Sequence, residues 1–356
     1  MLGLPRGRTI AALVLIPASI VAKVAGAEVA TFVLSGAAVV PLAGLLGQAT
    51  EELAIHAGPR VGGLLNATMG NAAELIIGVL LVARGEIAVV RASITGSILG
   101  NLLLVLGAAF LAGGLKSKEL RFSPQSASTH VVSLTLAVAG VMMPTVIEHS
   151  TTSNHFRIES ISVGVAVVLI TMYAASLVFA LVTHNDPLRE SSSASEADEV
   201  AEWSARFAVT VLVGVAVLVA LESELLVGAL EHTVERFDLS PIWVGLILVP
   251  IIGNAAEHST AVLVARKGKA DLALDIAVGS SSQVALLVAP LLVFAGLAFG
   301  HDLTLAFSVV ELAAMIVAIL VVAIIALDGR SNWLEGSQLL GLYTILAIGT
   351  FFVGKP

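Results

Sequence analysis

The chain contains no cysteine, and only 5% of its 356 residues are aromatic and 12% are charged. Without cysteine there is no disulfide, no thiolate metal site and no cysteine nucleophile. The charged fraction is about half that of a typical soluble domain, whereas hydrophobic residues make up 57%. A net charge of −8 without any basic stripe argues against a nucleic-acid partner. The composition therefore favours a polytopic membrane protein.

Apolar runs long enough to cross a bilayer core of about 30 Å fill most of the chain. Bounded by charges or by glycine and proline clusters, they predict an all-α integral membrane fold with about eleven transmembrane helices. The predicted spans are Thr9 to Gly26, Val29 to Leu53, Val61 to Val82, Ile87 to Leu111, Ala127 to Thr145, Ile158 to Val182, Phe207 to Leu230, Ile242 to Val264, Ala273 to Phe299, Thr304 to Leu327 and Leu339 to Val353.

The first apolar run follows Arg6 and Arg8 and resembles a signal peptide. Because many further spans follow it, we interpret it as a retained helix. With eleven spans the two termini lie on opposite sides of the membrane. Twelve lysines and arginines fall on the side of the N-terminus and six on the other side. The positive-inside rule therefore predicts a cytoplasmic N-terminus.

Residues 185–202 form the only stretch with the composition of a soluble segment, rich in acids and serines with a single basic residue, Arg189. We interpret it as a solvated, acidic cytoplasmic linker; the alternative is a segment that collects cations near a cytoplasmic opening. Five predicted spans lie between the first helix and the linker, and five follow the linker. This division predicts an N-terminal helix at 1–27, a first five-helix repeat at 28–184 and a second at 203–356.

The motif Gly-Asn-Ala-Ala-Glu occurs twice, from Gly70 to Glu74 and from Gly253 to Glu257. In each half the glutamate precedes a Gly-Ser pair by 22 residues. An odd number of spans per copy makes the two copies enter the membrane from opposite sides, so they are predicted to be inverted repeats. Folds of this kind place their ion site near the midplane of the membrane, where the repeats meet.

Glu74 and Glu257 are the first candidates for function because an ionisable side chain at membrane depth is costly and normally lines a polar path. The alternative is a protonated glutamate that only hydrogen-bonds a neighbouring helix. Asn71 and Asn254 lie three residues earlier, on the same helix face as the glutamates. Each motif thus predicts a carboxylate beside an amide oxygen.

Small residues in the motifs, including Gly70 and Gly253, allow neighbouring helices to approach closely or allow the helix to break and expose carbonyls. The span that follows each motif adds polar side chains for a path through the membrane: Ser97, Asn101, Ser280 and Gln283. Ordinary hydrogen bonds between helices are the alternative for any one of them. His258 points about 100° away from Glu257 on the helix. A hydrogen bond that supports the ligands is therefore expected of it at least as much as direct binding of the ion.

A ligand set of oxygens alone predicts a hard cation. Ca²⁺ accepts about 6 to 8 oxygens in loose geometry, whereas Mg²⁺ requires an octahedron and keeps its waters. Mn²⁺ also fits this ligand set. When the repeats are aligned at their glycines, Glu52 pairs with Glu235, which makes these two acids candidates for symmetric access funnels.

These residues resemble the calcium/proton antiporters of the cation/calcium exchanger superfamily, and the resemblance covers almost the whole chain. It rests on a leading helix, two five-span halves, an acidic segment between them, and the sequences GNAAELI and GNAAEHS. The resemblance implies that Glu74, Glu257, Asn71 and Asn254 bind the metal ion. It also implies an antiporter that exports cytoplasmic Ca²⁺ in exchange for protons. A short N-terminal tail, compared with vacuolar members, indicates a prokaryotic cell membrane.

Other functions remain as alternatives. A Na⁺/Ca²⁺ or Mn²⁺ exchanger would use the same kind of site, and a cation channel could use the same acids, although inverted repeats favour alternating access. An intramembrane enzyme is not supported, since no His-Glu-x-x-His motif occurs. The expected partners are Ca²⁺, protons and the lipid bilayer, with no cofactor. Whether the chain forms a homo-oligomer stays open.

Overall fold

The computed structural model describes residues 4–150, 155–179 and 201–352, and these residues are almost entirely helical. The helices are α1 Arg6–Val24, α2 Glu28–Met69, α3 Ala72–Ala83, α4 Ile87–Leu99, α5 Leu106–Gly114, α6 Pro124–Ser150, α7 His155–Val178, α8 Ala205–Gly228, α9 Leu230–Phe237, α10 Pro241–Trp243, α11 Val249–Arg266, α12 Ala270–Gln283, α13 Ala289–Phe299, α14 Val309–Ala326 and α15 Trp333–Phe352. The strands β1 Leu120–Arg121 and β2 Arg330–Ser331 form one short antiparallel pair.

In the described part of the chain, three wide-turn π-helical segments join consecutive helices. They are Gly100–Val105 between α4 and α5, Val244–Leu248 between α10 and α11, and Val284–Val288 between α12 and α13. Two of them end at Val105 and Val288, which are 183 residues apart, the same interval that separates Glu74 from Glu257. π-Helical turns often lie at functional sites, and here two of them lie within the spans that carry the predicted polar path.

The predicted all-α membrane class is confirmed, whereas the predicted count of eleven spans is not. Over the described residues, nine helical stretches are long and apolar enough to cross a membrane, or ten if the bent pair Val61–Met69 and Ala72–Ala83 is one span. Gly58, with φ of 78°, separates this pair from the preceding part of α2. A positive φ of this size favours glycine. At the eleventh predicted span the chain does form a helix, α15, but its first turns contain Glu335, Ser337 and Gln338.

Polar and apolar residues are distributed as a membrane environment requires. Large apolar side chains face outward, among them Val24, Leu13 and Ile324, which are 84%, 68% and 67% exposed. Within the described residues, six amide and carboxylate side chains are buried inside the helical packing: Glu52, Asn71, Asn101, Glu222, Asn254 and Glu311. This distribution is the reverse of that expected for a soluble protein, in which acids are almost never fully buried. The predicted linker lies outside the described residues, except for residues 201 and 202.

The chain divides into two compact units. The first comprises Met1–Ile77 and Thr171–Thr233, and the second comprises Gly78–Ile170 and Val234–Pro356. Each unit takes segments from both predicted repeats. Because compact units reflect packing and repeats reflect duplication, the repeat boundaries at 28–184 and 203–356 stay a prediction.

In the first unit, α1, α2 and α8 pack against one another. Buried Ala49, Trp203 and Ala208 form a small core with the partly buried Leu53 and Phe207 around it. The rings of Trp203 and Phe207 meet edge to face with centroids 5.2 Å apart. This core fastens the beginning of α8 to the middle of α2.

In the second unit, α4 crosses the π-helical segment that leads into α11 at very short range. A Cβ atom on Gly96 would lie 2.2 Å from the carbonyl oxygen of Leu246, and one on Gly245 would lie 2.5 Å from that of Val89. Only glycine allows two backbones to approach this closely. The crossing brings the polar residues of α4 next to the second Gly-Asn-Ala-Ala-Glu motif.

Candidate cation site

The first motif lies where the chain breaks between α2 and α3. Gly70 and Asn71 form the break, and the flanking helical segments are bent by 43°. Asn71 is buried at 2% exposure, and half-buried Glu74 lies in the first turn of α3. The beginning of a helix carries partial positive charge, which favours a carboxylate there. Of the two outcomes expected from the small residues, the helix break occurs in this motif.

The second motif lies within the continuous helix α11, just after the close crossing with α4. Gly253 and Asn254 are buried, Asn254 at 3% exposure. The Nδ2 group of Asn254 donates to the Oγ of Ser97 on α4 at 3.4 Å. Here the other expected outcome occurs, a close approach of neighbouring helices. The two motifs therefore share a sequence but differ in backbone structure.

Glu257 on α11 accepts a short hydrogen bond from α12. The Oγ of Ser280 donates to Oε2 of Glu257 over 2.6 Å, and Ser280 is only 6% exposed. A hydroxyl bond to a carboxylate at this distance belongs to the strong, charge-assisted class. The bond orients the carboxylate inside the helical packing.

The other polar residues of these two spans divide into two groups. Asn101, in the π-helical segment Gly100–Val105, is 1% exposed, and its Nδ2 atom has no hydrogen-bond partner in the described part of the chain. Gln283, at the end of α12, is half-buried. By contrast, the hydroxyl groups of Ser93, Ser281 and Ser282 donate to carbonyl groups of their own helices at 2.8 to 3.0 Å. Ser97 and Ser280, unlike these three serines, contact side chains of the second motif.

His258 lies next to Glu257 on α11 and is half-buried. Its Nε2 atom is buried and has no hydrogen-bond partner among the residues described. The supporting role predicted for His258 stays a prediction.

The two acids predicted to line access funnels have different surroundings. Glu52 is only 7% exposed, and its Oε2 accepts a hydrogen bond from the backbone N–H of Trp203 at 3.0 Å. His56, one turn further along α2, lies 2.6 Å from the carbonyl oxygen of Trp203 through its Nε2. Glu235 on α9 is exposed. Glu52 thus anchors the backbone ahead of α8, and the funnel role of both acids stays a prediction.

Two further acids lie inside spans but outside both motifs. Glu222 on α8 is 1% exposed and lies 3.0 Å from the Oγ of Ser19 on α1. Asp275 on α12 accepts a hydrogen bond from Ser126 at 2.9 Å and lies 3.7 Å from His130. The sequence signal for both residues is an acid inside an apolar run, although neither acid belongs to the repeated motif.

Within the described residues, no group of three or more histidines and acids is close enough to hold a resident metal ion. The second unit instead contains one carboxylate, two amides and two hydroxyls on α4, the π-helical segment that follows it, α11 and α12: Glu257, Asn254, Asn101, Ser97 and Ser280. The first unit contains the matching carboxylate and amide, Glu74 and Asn71. Oxygen donors of this kind suit a hard cation that passes through as cargo.

Fold and site together define a polytopic helical membrane protein with titratable groups inside its spans, an arrangement typical of ion transporters. The sequence matches the family described as "Sodium/calcium exchanger protein" over residues 27–182 and again over 207–352. The chain belongs to this family. The two matched stretches lie on either side of residues 183–206.

Similar proteins agree with this assignment. The chain is 46% identical to the Ca²⁺/H⁺ antiporter of Aphanothece halophytica over 340 residues, which cover 91% of each protein. It is 43% identical to the Ca²⁺/H⁺ antiporter ChaA of Bacillus subtilis over 88% of this chain and 90% of that protein. A crystal structure of the selenium-substituted Ca²⁺/H⁺ antiporter YfkE matches with a TM-score of 0.83 at 36% identity, over 98% of this chain and 100% of that one. The predicted resemblance is confirmed, and these relatives are transporters rather than enzymes.

Proposed function

We propose that this protein is a secondary active transporter that exchanges Ca²⁺ for protons across a membrane. The observation that carries the proposal is the carboxylate of Glu257, oriented by Ser280 over 2.6 Å within the membrane-spanning helices. The names of relatives at 46% and 43% identity support calcium and protons as the exchanged ions. The bacterial source of these relatives supports the cell membrane as its location.

In this proposal Glu74, Glu257, Asn71 and Asn254 bind the cation directly. Ser97, Asn101, Ser280 and Gln283 line its path, and His258 supports the ligands. The participation of both glutamates in one site is supported by the matched motifs and by the resemblance. Mn²⁺ remains a second substrate candidate because its preferred oxygen ligands overlap with those of Ca²⁺.

Exchange follows from the cost of moving bare carboxylates through a poorly hydrated interior. One Ca²⁺ neutralises two carboxylates, and so do two protons, whereas an empty site carries two uncompensated charges at a cost of several kcal/mol. The rearrangement between inward-open and outward-open states is then fast only when the site holds Ca²⁺ or protons. Inverted repeats supply a structural basis for such alternating access.

The exchange is tested with purified protein in liposomes that contain a pH-sensitive dye, while calcium is followed with an external indicator. An inside-acid gradient is expected to drive calcium uptake without Na⁺ or K⁺, and calcium entry is expected to alkalinise the interior. Empty liposomes are the control. Calcium uptake without proton movement would contradict antiport and favour a channel, and an absolute requirement for Na⁺ would favour a sodium/calcium exchanger.

Replacing Ser280 with alanine is expected to weaken the apparent affinity for Ca²⁺ about tenfold. A hydrogen bond to a charged group contributes about 1.5 to 3 kcal/mol, and each 1.4 kcal/mol corresponds to about a factor of ten. The measurement is the calcium dependence of exchange in liposomes. Ser282→Ala is the matched control, because the Ser282 hydroxyl donates to the carbonyl groups of Val278 and His130. Equal effects of the two variants would show that the bond to Glu257 is unimportant.

A further inference from the structure

Three loops of the second compact unit meet at one end of its helices. They comprise residues 115–123 between α5 and α6, 267–269 between α11 and α12, and 327–332 between α14 and α15. The strand pair β1 and β2 joins the first loop to the third. Lys116 Nζ donates to the carbonyl oxygen of Arg266 at 3.0 Å, which joins the first loop to the end of α11, directly before the second loop. We call this end of the unit the three-loop surface.

The three-loop surface is strongly basic. With the flanking Arg266, it presents seven exposed cations out of the 18 lysines and arginines in the chain. They are Lys116, Lys118, Arg121, Arg266, Lys267, Lys269 and Arg330.

The acids of the surface already have partners within it. Glu119 lies 2.7 Å from Arg121 and 3.6 Å from Arg330. Asp271 accepts a hydrogen bond from the backbone N–H of Ser123, and Asp328 accepts one from that of Arg330 at 3.0 Å. In the described part of the chain, no ion pair occupies Lys118, Arg266, Lys267 or Lys269. The positive charge of these four side chains is available to a partner outside the protein.

Exposed apolar side chains lie beside the cations at the helix ends. Leu115 and Leu327 are 70% and 79% exposed, and Trp333, the first residue of α15, is 48% exposed. The end of α5 packs against Trp333, since a Cβ atom on Gly114 would lie 2.4 Å from its backbone nitrogen. Tryptophan at the end of a span is typical of the membrane–water interface. The surface therefore combines cations at headgroup level with apolar groups directed at the acyl boundary.

We propose that the three-loop surface binds the headgroups of anionic phospholipids. Its position at the ends of membrane-spanning helices places the cations at the depth of lipid phosphates, and clusters of four to eight basic residues there are typical of anionic-lipid recognition. The general excess of lysine and arginine in cytoplasmic loops does not require that several basic loops meet at one surface. Here backbone and side-chain bonds tie three loops into one surface. Loop 267–269, in which two of the three residues are lysines, connects α11 and α12, the helices that carry Glu257 and Ser280.

The binding is measured with a single-tryptophan protein, in which Trp203→Phe and Trp243→Phe leave Trp333 as the only fluorophore. The protein is placed in bilayers where either phosphatidylglycerol or phosphatidylcholine carries brominated, quenching chains at equal mole fraction. Each cation near an anionic surface contributes about a fivefold preference. Quenching of Trp333 is expected to favour brominated phosphatidylglycerol by at least about fivefold in local lipid ratio, and high salt is expected to reduce this preference.

The deciding comparison uses two triple variants of equal charge. Arg266→Gln, Lys267→Gln and Lys269→Gln together are expected to reduce the preference about tenfold or remove it. Arg84→Gln, Arg206→Gln and Arg236→Gln, all outside the three loops, are expected to leave it unchanged.

Three outcomes would overturn the proposal: equal quenching by the two lipids, an equal effect of both triple variants, or loss of the preference on adding millimolar glycerol 3-phosphate. The last would indicate a site for soluble anions instead of a lipid surface. Because the readout is fluorescence, it is independent of calcium transport and of the proposed exchange.

Discussion

Glu74→Gln and Glu257→Gln are each expected to abolish calcium/proton exchange, with a loss of at least about 100-fold in initial rate. Glutamine preserves the shape of the side chain but removes its charge and its titration, so the site can neither compensate a divalent cation nor carry a proton. Losing a charged ligand in a dehydrated interior costs several kcal/mol, and 2.7 kcal/mol already corresponds to about a factor of 100. The measurement is initial uptake of calcium into acid-loaded proteoliposomes, with equal amounts of inserted protein.

Two other acids supply the controls for these variants. Glu148 is exposed near the end of α6, and Glu148→Gln is expected to have no effect. Glu222 is buried at 1% exposure within a span but lies outside both motifs, and Glu222→Gln preserves a polar group beside Ser19. Near-native exchange is expected for it. If a motif variant transported calcium normally, or if Glu222→Gln were as damaging as the motif variants, the assignment of the motif carboxylates would be wrong.

Gly96→Ala is expected to destabilise the protein severely. The added Cβ would lie 2.2 Å from the carbonyl oxygen of Leu246 and 2.6 Å from its carbonyl carbon, so backbone and not a flexible side chain would have to move. Overpacking typically costs about 1 to 3 kcal/mol, and a backbone clash belongs at or above the upper end of that range. The measurement is thermal unfolding of the purified protein together with its yield as a single species in gel filtration.

Gly100 is the matched control, four residues further along the same helical run. A Cβ atom there has no neighbour within 4 Å, and its φ of −58° is ordinary for a helix. Gly100→Ala is therefore expected to leave stability unchanged or raise it by up to about 1 kcal/mol, because alanine favours helix. Equal unfolding temperatures for the two variants would show that the crossing of α4 is not as tight as the structure indicates.

The membrane class and most spans could be predicted from the sequence because both depend on local composition. An apolar run must form a helix in a bilayer, where no water satisfies its backbone groups. The predicted span Ala273 to Phe299, for example, corresponds to the stretch Ala270–Phe299 in the structure. The prediction is weakest where a helix is mixed in character, as at α15, whose first turns are polar.

The candidate site was predictable in its residue types but not in its contacts. Repetition of the motif pointed to Glu257, and spacing pointed to Ser280. Their 2.6 Å hydrogen bond, however, depends on how α11 and α12 pack after the turn between them. Likewise, identical letters in the two motifs gave no sign that the chain breaks at Gly70 and continues as a helix through Gly253.

The sequence by itself determined that this chain is a helical membrane protein with two matched acidic motifs and a resemblance to calcium/proton antiporters, because hydropathy, spacing and motif letters are local properties. Only the tertiary structure decided which acids are buried and what they touch. The sequence made Glu52 a candidate for an access funnel, and only the structure shows that its carboxylate accepts a hydrogen bond from the backbone N–H of Trp203, which is 151 residues away in sequence. Burial and partners depend on segments brought together by packing, and no local pattern of charge or hydropathy encodes such a distant neighbour.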